Sequence, residues 1–260
     1  MAINWDDVLK AIIPTKDFDE LCQRLKRSFG YRFIHDAYNF HMPELQDYTQ
    51  RLLGGDPRGR YSGYNSMLKA ILGKLHLAGV LTVGGLIDKT STSADFESLV
   101  NQSGISEVEI ATVLKYLLYW VIPSEKYLSG LVRDELYLHD AILQLRKAGI
   151  RLNLELLQAG LTNETRKVLA NKCGTPLTTL TELVNRADFS RLPWASKATI
   201  SNIIGAGYGS LFRLANADSE QLIIDFFRYG SSIGKNLKFG NEIENSYRIA
   251  MIIPPLLRDD

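Results

Sequence analysis

Apolar side chains along this chain recur mostly at spacings of three and four, the period of a helix with one face turned inward. Ile110, Val113, Leu114 and Leu117 keep that spacing, as do Leu177, Leu180, Val184 and Ala187. Ser106 ahead of Glu107 and Glu109, and Thr175 ahead of Pro176, have the chemistry of helix starts. Asp218-Ser219-Glu220 opens a further helix, with Leu222, Ile223, Phe226 and Phe227 as its expected inward face. Near the beginning, Val8, Leu9, Ile12 and Ile13 predict a short helix stopped by Pro14. Phe18, Leu21, Cys22, Leu25 and Phe29 predict a second, ended by Gly30, and Leu45, Tyr48, Leu52 and Leu53 a third. No stretch alternates apolar and polar positions for long enough to require a sheet. The expected fold class is all-α.

Laid over this periodicity is internal repetition. Shifted by 70 positions, the chain aligns with itself without a gap: Leu75 falls on Leu145, Ala78-Gly79-Val80 on Ala148-Gly149-Ile150, and Leu86-Ile87 on Leu156-Leu157. Leu99, Asn101 and Gly104 fall on Leu169, Asn171 and Gly174, and Ile122-Pro123 on Leu192-Pro193. Ile203, Ala206-Gly207-Tyr208 and Leu214 give part of the pattern a third time. A glycine just past a helix can take the left-handed conformation that ends it, and the apolar residue after it turns back into the core. The repetition divides the chain into an N-terminal helical region over 1–72, repeats over 73–140 and 141–230, and a C-terminal helix with a Pro-rich tail over 231–260. The Gly-rich loop 54–63 is the best candidate for a mobile segment or a boundary. The prolines at 254 and 255 stop any helix there, and the tail's leucines are expected to pack back onto the body.

From Leu192-Pro193-Trp194-Ala195-Ser196 onward to Ala206-Gly207-Tyr208 and Leu214, the chain resembles a helix-hairpin-helix unit. The stretch from Ala148-Gly149-Ile150 to Ala187-Asp188-Phe189 is similar to an uncharacterised bacterial domain-of-unknown-function family built from such units. The likeness covers about residues 140–230 and more weakly 73–132. It implies a fold and no activity. In nucleic-acid-binding members of the superfamily a Gly-rich hairpin lets backbone N–H groups approach a phosphate. Here the hairpin carries Trp194-Ala195-Ser196, and its repeat counterpart Ser124-Glu125-Lys126, with no glycine in either.

Composition adds little. The 260 residues hold 30 Lys and Arg against 29 Asp and Glu, so no global field selects nucleic acid or an acidic membrane. Residues 141–260 carry 15 basic and 11 acidic side chains, a mild positive bias. Two cysteines imply no disulfide framework, and Cys22 and Cys173 read as core residues rather than nucleophiles. The opening residues lack a basic and apolar leader pattern, and the longest apolar run is far short of a membrane span, so a cytoplasmic location and no membrane partner are expected.

The candidate chemistry is sparse. Arg191, Ser196, Lys197 and Arg213 surround the second hairpin and could meet a phosphate backbone; the plainer reading is a solvated rim. Arg58 and Arg60, with Tyr61 and Tyr64, could neutralise phosphates and stack on bases from the Gly-rich loop, or be loop surface only. Arg24, Lys26, Arg27 and Arg32 cluster in sequence but need not share a helix face. Where the second repeat has Arg186, Asp188, Ser190 and Arg191, the first has Tyr116, Leu118, Trp120 and Val121. That apolar end is either covered by the N-terminal region or is a partner interface formed by Tyr116, Tyr119, Trp120 and Tyr127. His35, His41, His76 and His139 show no metal spacing, and no cofactor is expected. Gly205-Ala206-Gly207-Tyr208-Gly209 mimics a dinucleotide loop but follows a helix rather than a strand, so it carries nothing. The sequence thus points to a non-enzymatic interaction or scaffold module that binds a protein partner or itself, with a nucleic-acid-binding protein as the alternative.

Overall fold

A computed structural model describes residues 3–193, 195–237 and 240–257. Among the described residues helices account for 68% and no strand forms, so the fold is all-α. The chain divides into two compact units, Met1–Ser124 and Glu125–Asp260.

The first unit contains α1 (Trp5–Ile12), α2 (Phe18–Phe29), α3 (Arg32–Tyr38), α4 (Met42–Gly54), α5 (Ser62–Leu77), α6 (Val83–Lys89), α7 (Ser93–Ser103) and α8 (Glu107–Tyr116). A π-helical turn, Leu117–Val121, extends α8. The second unit opens with a 3-10 turn, Leu128–Gly130, then α9 (Leu136–Lys147), α10 (Asn153–Ala159), α11 (Asn163–Cys173) and α12 (Leu177–Phe189). It closes with α13 (Lys197–Gly205), α14 (Leu211–Ala215), α15 (Ser219–Ser232) and α16 (Asn241–Ala250). The expected divisions after residues 72 and 140 thus fall inside α5 and α9. The 54–63 loop joins α4 to α5 within the first unit, and these two helices pack along each other.

Repetition governs the architecture. α6, α7 and α8 begin 70 positions before α10, α11 and α12. The helix ends repeat as well. After α5, the N–H groups of Gly79 and Val80 donate to the carbonyls of His76 and Leu75, at 3.0 Å each. Gly149 and Ile150 donate in the same way to Arg146 and Leu145 after α9, and Gly207 and Tyr208 to Ile204 and Ile203 after α13. The three glycines have φ of 81°, 90° and 102°, a region closed in practice to residues with a Cβ. Leu75, Leu145 and Ile203, which accept these bonds, are buried, so each stop signal is locked to the core.

Helix starts follow suit. Thr92, Thr162 and Asp218 cap α7, α11 and α15, each accepting from the backbone N–H three residues on. Ser106 caps α8, and Glu109 reaches back to the Ser106 N–H in a reciprocal box. α12 starts differently from expectation: Pro176, not Thr175, stands at its cap position. Ahead of α6 and α10 the chain makes one antiparallel bridge, His41 with Thr82 and Tyr127 with Leu152.

The second unit therefore holds two four-helix repeats, α9–α12 and α13–α16; α12 packs on α10 and α16 on α14. The first holds α5–α8 together with α1–α4, α1 lying against α8 and α4 against α5. The C-terminal tail returns to the second unit, where Ile253 and Leu257 are buried.

Candidate functional site

Three arginines within residues 141–230, Arg166, Arg186 and Arg191, turn inward. Arg186, on α12, is 2% exposed and fully engaged. Its Nε and one terminal nitrogen donate to Glu182 at 3.0 and 2.9 Å, and that nitrogen also reaches Glu135 at 3.0 Å. The other donates to the Ser201 hydroxyl and the Leu131 carbonyl. Burial opposes ionisation of Glu135, but the Ser201 hydroxyl, the Arg133 N–H and the Arg186 charge outweigh it and hold its carboxyl down at about 2. Arg166, on α11, is buried with its Nε on the Gly160 carbonyl at 2.9 Å.

Arg191 corrects the sequence expectation. Rather than facing a phosphate backbone, it is buried beside Asp188, with Nε to Oδ1 at 2.7 Å, and donates to the Pro254 carbonyl of the tail at 2.9 Å. A guanidinium spent on two interior acceptors is not a surface cation. Ser190 is buried as well, its hydroxyl donating to the Ala187 carbonyl and accepting from Asn153. Burial also pulls the Lys126 ammonium below its ordinary pKa, where it donates to the Ser190 carbonyl at 2.9 Å.

The other candidates around the hairpin are exposed. Ser196 caps α13, accepting from the Thr199 N–H at 3.1 Å; its oxygen serves the helix. Lys197 follows it on the surface, and Arg213 is exposed on α14. Trp194 lies outside the described residues. In the first unit Arg58 is exposed, whereas Arg60 clamps the buried carboxylate of Asp56 through Nε at 3.1 Å and a terminal nitrogen at 2.8 Å. The guanidinium also lies over the Tyr61 ring at 5.4 Å. This pair ties Arg60 to Asp56 within the loop.

Of the proposed aromatic partner surface, Tyr116 is corrected to an interior residue of the first unit, and Tyr119 and Trp120 are half-buried. Tyr116 is fully buried, with its hydroxyl donating to Thr49 at 2.9 Å, and burial pushes the phenol well above its ordinary pKa. Tyr119 meets the Thr15 hydroxyl at 3.1 Å and Arg24 at 3.3 Å, and Trp120 packs edge-on against Tyr61. The apolar end of the first repeat needed a lid, and the N-terminal helices supply it. Tyr127 alone of the four stands out from the surface, at 66% exposure.

Cys22 donates to the Thr90 carbonyl, and burial raises its thiol to about 12; Cys173 is buried. Among the described residues no group of three or more His, Cys, Asp and Glu side chains is arranged to hold a metal, and no helix is long and apolar enough to cross a membrane.

The surface that sequence reasoning missed lies on α15. The helix was expected to turn Leu222, Ile223, Phe226 and Phe227 inward; Leu222 and Phe226 are buried, but Ile223, Ile224 and Phe227 are 36%, 50% and 45% exposed. Counted from the capping residue, the corresponding exposed positions are Glu97, Ser98 and Asn101 on α7 and Lys167, Val168 and Asn171 on α11. One outer face is thus wholly polar in the first copy, nearly so in the second and apolar in the third.

Residues 137–232 match a family described as a domain of unknown function, DUF4332. The match runs from the second residue of α9 to the last of α15, taking in the second repeat and most of the third. No curated protein and no solved structure matches the chain.

Proposed function

We propose that this chain is a non-enzymatic helical interaction module, a scaffold of tandem repeats that associates with a second copy of itself through the outer face of α15. The observation that carries this reading is the contrast just described: the repeat packs with a polar face at those positions on α7, so Ile223, Ile224 and Phe227 answer to something other than folding. The charges around the face favour self-pairing. Glu220 precedes Ile224 by four residues and Arg228 follows it by four, so all three lie along one line of the helix, and both charged residues are exposed. Two such helices laid antiparallel about a twofold axis at Ile224 bring each Glu220 to the other copy's Arg228. Three arginines of the basic half, Arg166, Arg186 and Arg191, are buried, which weakens the positive face that the nucleic-acid alternative requires.

Sedimentation velocity over a concentration series tests the proposal. The unsubstituted chain should shift from monomer to dimer, and Ile224→Ser with Phe227→Asn, the residues of the first repeat, should stay monomeric with an unchanged melting temperature. Arg228→Glu alone should weaken the dimer, and adding Glu220→Arg should restore it. A chain that stays monomeric at every concentration overturns the reading. Nucleic-acid binding that weakens steeply with salt and is lost in Lys197→Glu, Arg213→Glu would put the alternative in its place.

A further inference from the structure

α15 runs further than its counterparts. α7 and α11 have 11 residues each and stop at Gly104 and Gly174, left-handed at φ of 66° and 60°. Counted from the capping residue, the same position in α15 is Gly230, which stays inside a helix of 14 residues; the left-handed turn comes only at Gly234, with φ of 65°. The chain then folds back, the Lys235 N–H donating to the Gly230 carbonyl at 2.8 Å. A Cβ on Gly230 would meet the Lys235 carbonyl at 2.8 Å and the Leu237 side chain at 3.1 Å, so the bare glycine is what lets residues 235–237 lie against the helix. Helix and turn enclose a groove of about 290 Å3, lined by Phe227, Ser231, Gly234, Lys235, Asn236 and Leu237. Phe227 belongs to the exposed apolar face and Ser231 follows it by one helical turn, so the groove continues that face toward the end of α15. Of the three repeats, only the third has the apolar face, and only the third has the extension.

We infer that this groove receives the first turn of α15 from a second copy of the chain, with Lys235 facing that copy's Glu220. The inference rests on the self-pairing proposed above. A twofold axis at Ile224 sets Phe227 level with the other copy's Gln221, and Gly230 level with its Asp218. Because residues 235–237 lie back against Gly230, Lys235 stands opposite a helix start whose charged residues, Asp218 and Glu220, are acidic. Lys235 is exposed, and among the described residues no hydrogen bond or ion pair engages its ammonium. Glu220 thus meets two cations of the other copy, Arg228 on the helix and Lys235 in the groove. The antiparallel arrangement also sets the positive end of one helix dipole beside the negative end of the other.

The test is disulfide trapping in the full chain under copper phenanthroline, read on a non-reducing gel. Cys22 and Cys173 are buried and do not compete. Glu220→Cys with Lys235→Cys should give a covalent dimer, because within one chain the two positions lie on the order of 15 Å apart along α15, beyond the reach of a disulfide. Glu220→Cys with Arg228→Cys tests the pairing itself. Trapping at 220–228 without trapping at 220–235 overturns this inference and leaves the pairing standing. A chain trapped at neither, and monomeric in sedimentation, overturns both. Without any cysteine, Lys235→Glu should keep its melting temperature and raise the dimer dissociation constant about tenfold, since the twofold counts each exposed contact twice. A dissociation constant equal to that of the unsubstituted dimer also overturns the inference.

Discussion

The first and second repeats have the same backbone plan and opposite interiors. Val83, Phe96, Tyr116, Leu118 and Val121 of the first are buried, and so are their counterparts Asn153, Arg166, Arg186, Asp188 and Arg191 of the second. Five buried positions change from apolar or aromatic to polar or charged, yet α10, α11 and α12 still begin 70 residues after α6, α7 and α8. Helix placement therefore rests on what the repeats share: the left-handed glycines, the capping side chains and leucines such as Leu75 and Leu145. Interior chemistry is free to vary provided that buried polar groups find partners. Both repeats keep a leucine core; at these five positions the first packs apolar and aromatic side chains, whereas the second satisfies its buried guanidiniums with hydrogen bonds.

The sharpest way to break this comparison is to remove one member of that network. Arg186→Ala leaves Glu182 and Glu135 without the charge that both face, and the buried Leu131 carbonyl without this donor. The expected loss is about 3–5 kcal/mol, the usual cost of stranding one side of a buried pair. At the corresponding position of the first repeat, Tyr116→Phe removes a single neutral hydrogen bond to Thr49 and should cost about 1 kcal/mol. Urea denaturation of both variants measures the difference. Similar midpoints would mean that Arg186 contributes only its packing.

The shared features can be challenged in turn. Gly149 has φ of 90°, and a Cβ there meets no atom within 4 Å, so Gly149→Ala pays only the backbone cost of a left-handed conformation. That cost is about 1–2 kcal/mol. Gly79→Ala and Gly207→Ala should lose a similar amount, since both glycines also have positive φ and open space. Thermal melts of the three variants check this. A loss confined to one repeat would show that the turns are not equivalent in energy even though their hydrogen bonds match.

These same features decide how much was legible in the sequence. Glycine turns, caps and apolar periodicity are local, and they revealed the helices, the repetition and the all-α class. The third repeat was legible only in part because α14, at 5 residues, is two shorter than α10, at 7, so a fixed shift loses register before α15. On α15 the period alone could not choose between two overlapping apolar stripes. Leu222 and Phe226 face the core, while Ile223 and Phe227, one residue on, do not. The inward arginines were hidden for a different reason. Charge in a sequence reads as surface, and only tertiary partners such as Glu135 and the Pro254 carbonyl show otherwise. A signal was nonetheless present, since Glu182 stands four residues before Arg186 and Asp188 three before Arg191, spacings that pair charges on a helix.

The smallest effect sharpens the comparison through pH. The Glu135 carboxyl is held down at about 2 by Ser201, the Arg133 N–H and Arg186 against the opposing effect of burial, whereas its counterpart Asn65 does not titrate. A carboxyl whose folded pKa lies below its unfolded value of 4.5 contributes stability above that value and loses it as pH falls toward 2. The melting temperature should therefore decline across that window, and Glu135→Gln should flatten part of the decline. Because Glu135 is about one-fifth exposed, solvent screens the pair, and the expected difference at neutral pH is about 1 kcal/mol or less. Melts followed by circular dichroism at steps between these pH values give the result. A Glu135→Gln profile parallel to that of the unsubstituted chain would mean that Glu182 alone meets the needs of Arg186, reducing the network to one ion pair on α12.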